Sequence, residues 1–151
     1  MILKNIKTVS LASALMLATL GSFSLPLKPI SAQPSSQQLA QNIIASGSFV
    51  TVDQDHPTEG TAQIITENGK RYLEFSQEFT TARGPAVEII MYRNSSVPVN
   101  VAEADYVTLA PLESFDGAQR YEIPANINPS DFKAVAIWCR QFNVTFGYAA
   151  L

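Results

Sequence analysis

The chain has 151 residues, a formal charge of −3 and a single cysteine. That length suits one domain with a real core. The acidity argues against nucleic acid, whose phosphates need a positive surface, and one cysteine excludes an internal disulfide.

Residues 1–32 have the layout of a secretory signal peptide. Lys4 and Lys7 supply a positive start, residues 9–20 are apolar, and Ile30-Ser31-Ala32 ends in small side chains before Gln33. This predominantly apolar run of twelve residues is short for a membrane span. The expectation is therefore export to a periplasm, a thylakoid lumen or the extracellular medium, with no membrane embedding after the signal is removed. That segment takes three of the ten basic residues and none of the thirteen acidic ones. The remainder carries seven basic against thirteen acidic side chains, a formal −6. A lone thiol in an oxidising compartment must be buried, bonded to another chain, or functional.

Residues 33–46 read as a polar linker, with a short helix expected over 35–45. From there the chain reads as strands. Residues 47–52 form the first, and 53–60 are turn formers. Residues 61–67 and 70–76 flank Asn68-Gly69, the strongest local hairpin signal, since both residues tolerate positive φ. A second turn falls at Ala82-Arg83-Gly84-Pro85. Residues 87–92 (VEIIMY) suit an inner strand, 93–105 are irregular, and 106–112 suggest a short edge strand. Residues 119–123 give another strand, which 124–130 stop. Gly47, Gly60, Gly84 and Gly147 fit turns, bulges or close strand approach.

The last twenty residues are the densest apolar stretch outside the N-terminus. Val135, Ile137 and Cys139 share one parity, and Ala134, Ala136 and Trp138 the other. Both sets are apolar, as in a strand covered on both faces. From Phe142 the chain alternates, placing Phe142, Val144, Phe146 and Tyr148 together. No long helical period intervenes. The fold class expected for residues 47–151 is all-β, a β-sandwich or a small closed barrel of about seven to nine short antiparallel strands.

Few residues carry obvious chemistry. Cys139 is either a small buried residue, a redox thiol or metal ligand, or one half of an interchain disulfide. His56 is the only histidine and lies among Asp53, Asp55 and Glu59. As a metal ligand it would want Cys139, with Met91 completing a soft site, short of the two-His-plus-Cys blue-copper set. The acidic loop does not meet the EF-hand pattern. No C-x-x-C-H motif attaches haem, though a non-covalent haem held by His56 or Cys139 stays open. Trp138 packs the core or lines a site. No nucleophile elbow or Ser-His-Asp set is present, so an enzyme is not the first expectation.

Several short strings, taken in order, resemble the DM13 domain family. They are Gly47-Ser48-Phe49, His56-Pro57 with Gly60-Thr61-Ala62, Gly84-Pro85, Tyr121-Glu122-Ile123-Pro124, Ala136-Ile137-Trp138-Cys139, and Phe142 with Phe146-Gly147-Tyr148-Ala149. Where relatives often carry an Asp-Leu-like pair after Gly-Pro, this chain has Ala86-Val87. The resemblance implies an extracytoplasmic all-β domain taking part in electron transfer. It implies Cys139 as the redox group and His56 as the second signature residue. The cofactor site would comprise His56, Cys139 and Trp138, with His56 and Cys139 as metal ligands if copper or haem is used. A redox or cell-surface protein would be the partner. The competing reading is a protein- or glycan-binding module in which Cys139 is structural.

Overall fold

The computed structural model describes residues 41–151. The expected signal peptide and most of the expected linker lie outside them. The described residues contain ten strands, in chain order β1 (Asn42–Thr51), β2 (Thr58–Glu59), β3 (Thr61–Glu67), β4 (Lys70–Phe75), β5 (Thr80–Thr81), β6 (Val87–Tyr92), β7 (Tyr106–Pro111), β8 (Gln119–Ile123), β9 (Ala134–Cys139) and β10 (Val144–Ala150). Eight form one antiparallel sheet in the order β7-β6-β9-β10-β1-β3-β4-β8, nearly closed into a barrel, and β2 pairs with β5 beside it. Of the two expected architectures the structure is nearer the barrel, although β7 and β8 are left as unpaired edges.

The β3–β4 hairpin turns on Asn68 and Gly69, at φ 51° and 77°. This is the left-handed pair that a two-residue hairpin demands. The first strand starts earlier than the sequence suggests. Asn42 already pairs with Thr66, so the helix expected over 35–45 does not occupy residues 42–45. The β-branched Ile43-Ile44 favours extended backbone, and pairing with β3 satisfies it. β1 pairs with β3 over Asn42–Ser48 and with β10 over Phe49–Thr51, so it joins the two halves of the sheet.

β9 lies between β6 and β10, and all six of its residues are buried. Its two faces enter different cores. Val135, Ile137 and Cys139 pack in the main cluster with Phe49, Phe75, Phe79, Ile89 and Phe146. Ala134, Ala136 and Trp138 pack with Ile90, Tyr92, Val97 and Val101, under the 93–105 segment. Each large aliphatic or aromatic side chain so buried contributes about 1.5–3 kcal/mol.

The final strand departs from simple alternation. Its register shifts between Thr145 and Gly147, leaving Phe146 as the extra residue of a bulge. Phe146 stays in the main cluster, whereas Tyr148 turns to the Trp138 side. Phe142 precedes the strand and is 63% exposed. The single face expected for Phe142, Val144, Phe146 and Tyr148 is therefore broken, because one inserted residue reverses the side-chain parity beyond it. Gly147 allows the tight fit there: a Cβ would lie 2.6 Å from the Thr58 Cβ.

Candidate functional site

The bulge builds one wall of a cavity. With Phe146 outside the ladder, its carbonyl accepts the Val52 N–H at 2.8 Å and the Asp53 N–H at 3.2 Å. These bonds hang the loop after β1 on the bulge. The loop then turns back through His56 N–H to the Asp53 carbonyl at 2.9 Å. The His56 ring consequently lies flat on the Phe146 ring, with centroids 4.3 Å apart and planes 9° apart.

His56 is also held by its edge. Its Nδ1 lies 2.8 Å from Asp53 Oδ2. The imidazole beside it, and then the Asp55 N–H, hold the Asp53 carboxyl below the usual carboxylate range. An ionised carboxylate can only accept, so Nδ1 carries the hydrogen and Nε2 of a neutral ring is left as the acceptor. A carboxylate that fixes the tautomer of an imidazole in this way recurs at working histidines.

Cys139 reaches the same cavity from the opposite wall. It is the last residue of β9 and is 1% exposed. Its thiol donates to the Pro85 carbonyl at 3.0 Å. The 82–86 turn presents that carbonyl and is tied to the end of β9 by the Arg140 N–H bonding to the Ala86 carbonyl at 3.0 Å. The cavity encloses about 230 Å³ and is lined by His56, Arg83, Gly84, Pro85, Cys139, Phe142, Val144 and Phe146. The fold thus brings together the two residues singled out from the sequence, His56 and Cys139, which are far apart in the chain.

It does not bring the others. Trp138 points to the opposite face of β9, where its indole N–H donates to Asn143 Oδ1 at 2.9 Å. A strand turns successive side chains to opposite sides, so neighbours such as Trp138 and Cys139 cannot both enter one cavity. Met91 is buried in the main core opposite Val135, while Cys139 pairs across β6 with Val87. That separation is four residues along the strand, about 13 Å at the strand rise.

Sequence reasoning passed over Arg83, Phe142, Val144 and Phe146 as parts of this wall. Arg83 carried no signal beyond its place in a turn. Phe146 and Gly147 did carry one, since glycine inside a strand often marks a bulge.

The lining of this cavity does not by itself fit copper or haem. No group of three or more His, Cys, Asp or Glu among them could hold a metal ion. The cavity offers one imidazole and one thiol, short of the usual copper set. Its 230 Å³ is also below the volume of pockets that take drug-sized ligands, and a haem is larger still.

The fold and the cavity define an all-β barrel domain with a thiol and an imidazole on one recess. Residues 48–151 match the family described as Electron transfer DM13, and the chain belongs to that family. No curated protein and no solved structure matches the chain. Membership supports a general redox or electron-transfer role. No helix among the described residues is long and apolar enough to cross a membrane.

Proposed function

We propose that this is an exported electron-transfer domain whose working group is the Cys139 thiol. The observation that carries the reading is the shared cavity, where a sulfur at the end of a buried strand faces the same space as an oriented imidazole. A cysteine with a purely packing role needs no opening and no histidine beside it.

The chemistry available to one cysteine is thiol–disulfide exchange. The thiol, which donates to the Pro85 carbonyl at rest, turns into the cavity that it shares with His56 and gives its proton to Nε2 there. The thiolate attacks one sulfur of a partner disulfide, forming a mixed disulfide and releasing the partner's other sulfur as thiolate. A donor thiolate then attacks the Cys139 sulfur of that mixed disulfide and releases the partner's remaining sulfur as thiolate; a second donor thiolate attacks the first donor's sulfur, and Cys139 leaves as thiolate and regains its proton. The first partner is reduced to two thiols and the two donor thiols are oxidised to one disulfide, so an electron pair passes through one sulfur. The walls around it, Pro85, Val144 and Phe146, exclude bulk water.

The test uses oxidised glutathione on the purified exported protein. Cys139 is expected to form a reversible mixed disulfide in the folded state, read by intact mass, and His56→Gln to slow its formation at least about tenfold near neutral pH. Formation only under denaturing conditions, or at an unchanged rate in His56→Gln, would sink the proposal. Retention of the chain at its precursor length in the cytoplasmic fraction, with none exported, would remove the export part separately.

A further inference from the structure

The cavity has a feature that thiol exchange does not use. Arg83 is exposed and lines it, yet its guanidinium has no hydrogen bond or ion pair among the described residues. The other arginines there are all engaged. Arg140 bonds Glu88 at 2.8 Å, Arg120 pairs with Glu67 and Glu74, Arg93 donates to the Ala104 carbonyl, and Arg71 to the Ala125 carbonyl. Arg83 only rests over the Phe115 ring, 5.0 Å from its centroid. Among the described residues Arg83 is thus the one arginine left without a hydrogen-bonded partner, and it stands at an apolar recess.

The other walls set shape. The stacked His56 and Phe146 rings give a flat surface, and the exposed Phe142 offers a second aromatic group. Aromatic rings favour planar partners. A dry cavity of about 150 Å³ accepts benzene. One of about 230 Å³ therefore takes a single substituted ring and little more.

We infer that this recess is a binding site for a small one-ring aromatic anion, its ring against the aromatic wall and its carboxylate on Arg83. Guanidinium binds carboxylate through paired N–H donors. The inference rests on the same cavity as the proposed function and adds a ligand class to it; no bond is made or broken in the binding.

Benzoate, benzamide and cyclohexanecarboxylate serve as probes in an NMR titration of the purified exported protein. Benzoate should bind saturably, moving resonances of the cavity residues, and at least about fivefold tighter than neutral benzamide or non-planar cyclohexanecarboxylate. Arg83→Gln should erase the preference over benzamide, while Arg140→Gln should keep it. Equal binding of benzoate and benzamide, no saturable binding, or a preference that survives Arg83→Gln would overturn the inference. Glutathione exchange at Cys139 is read without any probe. Exchange without benzoate binding removes the ligand site alone. Benzoate binding without exchange removes the thiol mechanism alone.

Discussion

The two faces of β9 are equally apolar and equally buried, yet they do different things. On one face Trp138 is sealed. Asn143 sits at φ 50° after the turn and takes the indole N–H at 2.9 Å and the Val101 N–H at 3.0 Å on its Oδ1. Its Nδ2 donates to the Val101 carbonyl at 3.1 Å, and its own carbonyl accepts from Asn100 at 2.6 Å. That side chain pins the 93–105 segment over the strand as a lid. On the other face Cys139 meets a recess instead of a lid, because the bulged Phe146 and the Gly84-Pro85 turn leave room between them. Burial alone therefore does not separate a structural residue from a working one. What separates them is whether the neighbouring backbone closes over the side chain.

The contrast can be broken from either side. The largest effect is expected on the recess side. Phe146→Ala removes a 2%-exposed ring that also supports His56, and should cost about 3–5 kcal/mol in urea unfolding. A loss below about 1 kcal/mol would mean that the bulge does not anchor the core. On the sealed side, Asn143→Ala should cost about 2–3 kcal/mol, since it strands the indole N–H and two Val101 backbone groups. Its signature is a red-shifted Trp138 emission in the folded state. An unchanged spectrum would show that the 93–105 segment stays down without Asn143.

A smaller change of opposite sign is expected between these two. Thr145 is fully buried, and its Oγ1 has no hydrogen-bond partner among the described residues. Thr145→Val keeps the shape and removes the stranded hydroxyl, so it should raise stability by up to about 1 kcal/mol. Destabilisation would indicate an uncounted partner on the sealed face. The least effect is electrostatic. The Asp53 carboxyl is held below its ordinary value by the His56 ring and then by the Asp55 N–H. A depressed carboxyl contributes stability that is full above its unfolded pKa of about 3.9 and is lost as pH falls through the folded value. Asp53→Asn should flatten that acid limb of the unfolding curve and leave the neutral region unshifted in slope.

Much of this barrel was legible in the residues. Asn68-Gly69 fixed a hairpin because few other pairs accept its dihedrals, and the double apolar parity of residues 134–139 marked a strand covered twice. The pairing of His56 with Cys139 came from their being the sole histidine and cysteine and from the family resemblance, not from spacing. Three things were hidden. The true start of β1 depends on a partner strand that residues 42–46 do not reveal. The side switch of Tyr148 depends on one extra residue, for which Gly147 was the only local sign. Arg83 gained meaning only when the sheet curled and left it facing an apolar recess without a carboxylate.

The most direct test of the central claim is the rate at which Cys139 reacts with dithiodipyridine, an aromatic disulfide with one pyridine ring on each sulfur, in the folded protein at rising sub-denaturing urea. Reaction is expected to run through the recess, at a rate that stays flat until the unfolding transition begins and that falls in His56→Gln. A rate that instead tracks the unfolded fraction at every urea concentration would show that the sulfur is reached only when the barrel opens, and would contradict it.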